Sequence, residues 1–195
     1  MNTDNPFVLA TIGVWLALEI ALVVRDRMHG RGGTAQDRGT RRLIALVTAA
    51  SFVLTGVIAR ALRHHSALWL PGGNTDAWLV VGLVVMWAGL ALRVWSIAAL
   101  GAEFRTTVEV EAGQQLVERG PYHVLRHPSY SGVVLLAAGY GLVTAVWPAL
   151  LVAVIGPTLV LIRRIQVEER ALAETMGDTY HDYQRRTWRL VPRVW

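Results

Sequence analysis

Long apolar runs separated by short polar stretches dominate the chain and predict its secondary structure. The runs cover residues 6–24, 43–62, 77–100, 131–146 and 148–162. The first three have the length of ~20 residues that a helix needs to cross the hydrocarbon core of a bilayer. Only helices and closed barrels satisfy their backbone hydrogen bonds there. We therefore predict an all-α, polytopic integral membrane protein with about five transmembrane helices.

The last two runs are shorter and predict a C-terminal helical hairpin. Each would extend only ~24 Å as a helix, so the hairpin barely spans the bilayer or dips deeply into it. Trp147 and Pro148 separate the two runs, and we expect the turn there. Pro157, preceded by Gly156, is expected to kink the second arm because proline removes a backbone hydrogen bond.

Two polar segments flank this hairpin. Residues 120–130, Gly-Pro-Tyr-His-Val-Leu-Arg-His-Pro-Ser-Tyr, precede the first arm, and Arg164, Glu168 and Glu169 follow the second. Because two membrane-length arms return the chain to its starting side, we expect both segments at one face of the membrane. This arrangement predicts a reaction centre at the membrane surface.

The chain accordingly divides into two parts. Residues 1–100 form a predicted three-helix transmembrane region, and residues 101–195 form the half with the polar connector, the hairpin and the tail. After Arg163 a helical period of apolar residues predicts an amphipathic helix. Gly177 suits its C-cap, and Asp178 suits the N-cap of a short last helix.

Composition and charge agree with a membrane protein and orient it. Hydrophobic residues make up 53% of the chain, and its mean hydropathy is +0.39. Arginine is concentrated after the first run, after the third run and near the C-terminal end, whereas the first residues carry none. The positive-inside rule then places the N-terminus outside and the C-terminus in the cytoplasm of a plasma or inner membrane. The net charge of +5 is expected to attract anionic membrane lipids and gives no reason to infer nucleic-acid binding.

Several chemistries are disfavoured by residue type. The chain has no cysteine, so it has no thiolate nucleophile, disulfide or cysteine-based metal site. His64 and His65 lack a third ligand at metal-binding spacing. The sequence thus predicts no metal centre.

Four residues are candidates for function, and each has a simpler interpretation. His127 precedes Pro128, a residue suited to the first turn of a helix, whose N-terminus attracts small anions. An interfacial histidine can equally contact a lipid headgroup. Arg164 and Glu168 share a helix face four residues apart, which also fits an ion pair worth ~0.3–0.5 kcal/mol. Arg93 lies within the third run, and we expect it to snorkel toward the interface rather than face an acidic partner.

A larger set of residues from about position 104 to the C-terminal end carries a resemblance. The set comprises Leu116, Val117, Gly120, Tyr122, Arg126, His127, Pro128, Tyr130, Arg164, Glu168, Glu169, Gly177, Tyr180, Tyr183, Arg189, Leu190, Val191 and Pro192. Taken together, it resembles the isoprenylcysteine carboxyl methyltransferase family and its prokaryotic homologues. The first two helices carry no recognised signature.

The resemblance implies a membrane enzyme that uses S-adenosylmethionine, with a cytoplasmic cofactor pocket built by the C-terminal half of the chain. The residues that it implies for cofactor binding are Glu109, Gln114, Gln115, Leu116, Val117, Tyr122, His127, Pro128, Ser129, Tyr130 and Glu168. Arg164 is implied to bind the substrate, and Arg164 and Glu168 together to support catalysis. The implied reaction is carboxyl O-methylation of a prenylated, isoprenylcysteine-like amphiphile. A carboxylate is ionised at neutral pH and needs no general base, whereas an amine or phenol would require Glu168 or His127 as base.

Other functions share parts of this pattern. The Arg-His-Pro-x-Tyr element also occurs in phospholipid N-methyltransferases, so a lipid amine is an alternative acceptor. It occurs as well in NADPH-dependent sterol-type reductases, whose aromatic tail pattern with cysteine and lysine is missing here. A membrane scaffold without turnover is a third alternative. Binding of S-adenosylhomocysteine, of NADP+ or of neither distinguishes methyltransferase, reductase and scaffold.

Overall fold

The computed structural model describes residues 2–28, 40–72, 75–101 and 116–195. Within these ranges the chain is helical, as predicted, with six α-helices and three short 3-10 helices. The α-helices are α1 (Pro6–Met28), α2 (Thr40–Leu62), α3 (Thr75–Leu100), α4 (Pro128–Val143), α5 (Trp147–Met176) and α6 (Asp178–Arg186). The 3-10 helices are Asn2–Asp4, Ser66–Leu68 and Gly120–His123.

Four of these helices are long and apolar enough to cross a membrane. They are α1, α2 from Arg42, α3 from Asp76, and α5. Helix α4 has 16 residues and is therefore ~24 Å long. All five predicted apolar helices are present, and α4 and α5 form the predicted hairpin.

The hairpin differs from its prediction in one detail. Its turn lies at Thr144–Val146, where Ala145 has a φ of 57°, and not at Trp147 and Pro148. These two residues begin α5, because proline is tolerated in the first helical turn. Helix α5 contains Pro157 and continues to Met176; the kink expected at Pro157 stays a prediction.

The continuity of α5 changes the environment of the second polar segment. The amphipathic helix expected after Arg163 is the C-terminal half of α5, so its polar side chains belong to one long helix. Gly177, with a φ of 53°, ends α5 as predicted and also precedes α6. Asp178 is thus the first residue of α6 and not its N-cap.

Two glycine pairs let α3 and α4 pack most closely of all helices. Gly82 faces Gly139, and Gly89 faces Gly132. A Cβ atom placed on any of the four would lie 2.6 Å from the backbone oxygen of its partner glycine. Small residues of this kind allow close helix approach in membranes, where van der Waals packing drives association. The glycine pairs therefore hold α4 against the long span α3. Because α4 begins within the first polar segment, this packing also positions that segment.

We expect Gly139→Ala to destabilise the protein. The new methyl group would lie 2.6 Å from the Gly82 oxygen and from the Cγ and N atoms of Met86, which forces α3 and α4 apart. Overpacking of this kind typically costs about 1–3 kcal/mol. Thermal unfolding in detergent measures the effect. The control is Gly13→Ala, where no atom lies within 4 Å of the new Cβ; equal stability of the two variants would contradict the close packing.

An ion pair connects α1 to this helix pair. The guanidinium of Arg93 in α3 donates from Nε and NH2 to the two carboxylate oxygens of Glu19 in α1, at 2.6 and 2.8 Å. Arg93 is buried. The expectation that it snorkels is therefore wrong: a charge within an apolar segment is tolerated when a partner neutralises it.

Candidate active site

The turn before α4 is held by the C-terminal segment of the chain. The backbone N–H groups of Arg126 and His127 donate to the oxygens of Trp188 and Arg189, at 2.7 and 3.1 Å, and the Trp188 N–H donates to Val124. Leu125 and Trp188 form a parallel β-bridge. Pro128 then starts α4 as predicted, with His127 at the N-cap. The imidazole of His127 is buried at the point where three segments meet.

The two polar segments predicted to converge do so. The Tyr130 hydroxyl donates to Glu168 Oε2 at 2.8 Å, and Arg164 Nε donates to the Tyr130 oxygen at 3.2 Å. His127 Nδ1 lies 3.8 Å from Glu168 Oε2. The rings of His127 and Tyr130 stack, with centroids 5.6 Å apart. Tyr130 thus links Arg164 and Glu168, and side chains about forty positions apart in the sequence form one cluster.

Glu169 is a second acidic centre whose role the sequence did not reveal. Its carboxylate accepts hydrogen bonds from Arg126 Nε at 2.8 Å and Arg189 Nε at 2.9 Å, and it lies 3.3 Å from His127 Nε2. The side chain is 7% exposed. Adjacent helix positions point about 100° apart, so Glu168 faces Tyr130 while Glu169 faces the C-terminal segment. The Glu-Glu pair was visible in the sequence, but its partners depend on the tail folding back.

We expect Glu169→Ala to unfold the protein more readily. The substitution leaves Arg126 buried beside an unpaired His127 and releases Arg189. Breaking a buried pair typically costs about 3–5 kcal/mol, and the partial exposure of Arg189 lowers the expectation to ~2–4 kcal/mol. Thermal unfolding in detergent provides the measurement. Glu174→Ala, an exposed glutamate of the same helix, is the control; a Glu169 variant as stable as this control would be inconsistent with the charge centre.

Three tyrosines line the site from the short helices. The Tyr183 hydroxyl donates to the backbone carbonyl oxygen of Tyr122 at 2.7 Å. Burial raises the pKa of Tyr183 and of Tyr122, and the nearby charge of Glu168 raises the Tyr122 pKa further. Both phenols are therefore protonated at neutral pH. The Tyr180 hydroxyl is buried and has no hydrogen-bond partner among the described residues, which is the condition of a group that completes its bonding with a bound molecule or water.

The two glutamates differ in their capacity for a ligand. The Glu169 oxygens are engaged by Arg126, His127 and Arg189. Glu168 accepts one hydrogen bond within the described part of the chain, from Tyr130, and its side chain is 31% exposed. A partly exposed carboxylate beside aromatic rings fits a cationic ligand. No group of three or more His, Asp or Glu side chains in the described ranges could hold a metal ion.

The other predicted site residues are distributed around this cluster. Pro128 is fully buried at the start of α4, and the Ser129 Oγ atom accepts a hydrogen bond from Arg93 NH1 at 2.8 Å. Leu116 and Val117 are half-buried. Glu109, Gln114 and Gln115 lie outside the residues that the structure describes, so their roles stay predictions.

Comparison with known proteins identifies the family. The model of the phospholipid methyltransferase family matches residues 77–179, more than half of the chain. The chain belongs to this family. This membrane methyltransferase is 31% identical over 188 residues to the probable protein-S-isoprenylcysteine O-methyltransferase of Oryza sativa subsp. indica, with 92% of this chain and 96% of that protein covered. It is also 31% identical over 166 residues to the uncharacterized Bacillus subtilis protein YpbQ, with coverages of 85% and 95%.

A solved structure shares the fold of this methyltransferase. It is that of the eukaryotic intramembrane Ras methyltransferase ICMT, an isoprenylcysteine carboxyl methyltransferase, with a TM-score of 0.61 and 23% identity. The match covers 96% of this chain and 63% of that longer protein. The all-α membrane fold and the resemblance to isoprenylcysteine methyltransferases predicted from sequence are thus confirmed, and the enzyme is a methyltransferase rather than a reductase or a scaffold.

Proposed function

We propose that this methyltransferase uses S-adenosylmethionine to methylate the carboxylate of a prenylated, isoprenylcysteine-like amphiphile at the cytoplasmic face of the membrane. The observation that carries the proposal is the cluster of Arg164, Tyr130 and Glu168, in which a buried cation and a partly exposed anion share one tyrosine hydroxyl. The cation of Arg164 suits an anionic methyl acceptor, and the anion of Glu168 suits a cationic methyl donor. The relatives named as isoprenylcysteine methyltransferases support the choice of acceptor.

The residues around Glu168 fit the methyl donor. When bound, S-adenosylmethionine would supply a methyl group on a cationic sulfonium, to which an acceptor lone pair would bond in line as S-adenosylhomocysteine leaves. The Glu168 carboxylate and the faces of Tyr122 and Tyr130 would attract the cationic groups of the cofactor. The positive dipole at the N-terminus of α4 would attract the cofactor carboxylate. The unpartnered hydroxyl of Tyr180 is a further contact for a polar group.

Arg164 would hold the acceptor. Its planar guanidinium matches a carboxylate in two parallel hydrogen bonds, which aligns one oxygen for displacement. Tyr130 orients the guanidinium through Nε. Because the carboxylate is already ionised, the protein contributes position and exclusion of water rather than proton transfer. A hydrophobic substrate would reach this site laterally from the bilayer, while the cofactor would enter from the cytoplasm.

The test is methyl transfer from tritium-labelled S-adenosylmethionine in detergent or vesicles. Prenylated thioethers with a free carboxylate are compared with the same compounds as methyl esters or amides, and with lipid amines. The proposal predicts label only in the free acids, released as volatile methanol by base because a methyl ester forms. Label that resists base and appears in a lipid amine would contradict it.

The family match favours one second candidate, N-methylation of a phospholipid amine. An amine acceptor must lose a proton, so Glu168 or His127 would act as general base. Both side chains lie at the site, 3.8 Å apart. Base-stable label in the assay above, with activity rising as the amine deprotonates, identifies this reaction.

The orientation in the membrane gives a separate prediction. We expect the C-terminal end, and with it the site, to lie in the cytoplasm, because arginine is abundant after the first and third spans and in the tail. Fusions of this end to alkaline phosphatase and to a fluorescent protein report the side directly. Fluorescence without phosphatase activity is expected; the reverse pattern would refute the arginine-based topology.

A further inference from the structure

Arg93 connects three helices through a single guanidinium. Its Nε and NH2 atoms bind both oxygens of Glu19 in α1, at 2.6 and 2.8 Å. Its NH1 atom donates to Ser129 in α4, to Oγ at 2.8 Å and to the backbone oxygen at 3.4 Å. Arg93 and Ser129 are both buried. The contact network therefore runs from the first helix of the chain to the first turn of α4.

Ser129 occupies a sensitive place in the site. It is the second residue of α4 and stands between His127 and Tyr130, whose rings stack and both approach Glu168. The N–H groups of Tyr130 and Ser131 are bonded to the His127 oxygen, at 3.0 and 3.1 Å. Any shift of Ser129 would move this first turn and with it the side chains that contact Glu168.

Glu19 lies outside the residues that the family model matches. That match covers residues 77–179, which include Arg93 and Ser129 but not α1. The buried guanidinium of Arg93 thus takes its counterion from a helix outside this match. Without that counterion, the arginine would be an unpaired charge inside an apolar segment.

We propose that Arg93 is a positioning residue, which fixes the first turn of α4 through Ser129, and that Glu19 holds the Arg93 guanidinium in the required plane. The planar fork of arginine can bind a carboxylate along one edge and Ser129 along another, which the single ammonium of lysine cannot do at the same distances. The simpler alternative is that the ion pair only attaches α1 to α3. The two roles predict different behaviour of α4.

The double variant Glu19→Leu/Arg93→Met separates these roles. Replacing a complete buried ion pair with apolar residues is often neutral for stability, so the helices should remain attached. Amide hydrogen exchange is then measured in the ligand-free protein. We expect amide exchange in the first turn of α4 to accelerate about tenfold, because one charge-assisted hydrogen bond is lost. The exchange rate in the middle of α4 and the thermal unfolding temperature should change little.

A matched control is available in the exposed ion pair of Arg60 and Asp4, whose closest atoms are 3.4 Å apart. The double variant Asp4→Leu/Arg60→Met removes that pair and should leave exchange in α4 at the wild-type rate. First-turn exchange that is equally slow in the Glu19→Leu/Arg93→Met protein would overturn the proposal. Equal acceleration in the control would overturn it as well.

A thermodynamic cycle tests the path through Ser129. This part depends on the proposed cofactor and uses the affinity for S-adenosylhomocysteine. We expect the Glu19→Leu/Arg93→Met change to weaken binding about tenfold in the wild type but much less when Ser129→Ala is already present, because the two changes then act on one contact. Fully additive effects would overturn the proposal. A wild-type protein that does not bind S-adenosylhomocysteine would refute the proposed function instead, and the exchange measurement would still decide the role of Arg93.

Discussion

Glu168→Gln is expected to weaken the binding of S-adenosylhomocysteine by at least about 30-fold while the protein stays folded. Glutamine has the shape of glutamate and can still accept the hydrogen bond from Tyr130, so the change removes mainly the negative charge. Loss of one partner from a partly buried charge contact typically costs about 2–5 kcal/mol, which is roughly a 30- to 5,000-fold loss of affinity. Isothermal calorimetry in detergent measures the dissociation constant.

The control for this prediction is Glu174→Gln. Glu174 is exposed on the same helix, so its variant has the same composition and net charge as Glu168→Gln. We expect the Glu174 variant to bind like the wild type. An unchanged dissociation constant for Glu168→Gln would show that this carboxylate does not hold the cofactor.

Arg164→Lys is expected to remove turnover while cofactor binding remains. Lysine retains the charge but presents a single ammonium instead of a planar fork, so a substrate carboxylate loses its bidentate alignment. Misplacement of a reacting group by about 1 Å can reduce the rate ~100-fold. Steady-state kinetics with the labelled cofactor should therefore show a ~100-fold lower kcat, with S-adenosylhomocysteine binding largely retained.

The adjacent residue provides the comparison for Arg164. Arg163 is exposed, and Arg163→Lys should turn over at the wild-type rate. If Arg164→Lys weakened cofactor binding as strongly as Glu168→Gln did and left kcat unchanged, the two residues would have exchanged roles, and the assignment of substrate binding to Arg164 would be wrong.

Sequence reasoning predicted the elements that depend on local composition and on membrane length. The apolar runs predicted five helices, and Pro128 predicted the start of α4. The convergence of the two polar segments followed from the number of membrane crossings between them. The two arms of the hairpin return the chain to its starting side, which brings Tyr130 and Glu168 to one face. No knowledge of tertiary packing was needed for this step.

Features that depend on helix rotation and on neighbouring segments were not predictable in this way. The pairing of Arg93 with Glu19 requires two distant helices to present one face to each other, and α1 has no signature that indicates this face. Glu169 acquires its partners only when Arg189 folds back beside Arg126.

The most direct test of the central claim, that the convergent polar segments form a pocket for a methyl donor, is calorimetry of the wild-type protein in detergent with two ligands. S-adenosylhomocysteine should bind at one site per chain, and NADP+ should give no heat of binding. Binding of NADP+, or binding of neither ligand by folded protein, would contradict the assignment of this cluster to S-adenosylmethionine.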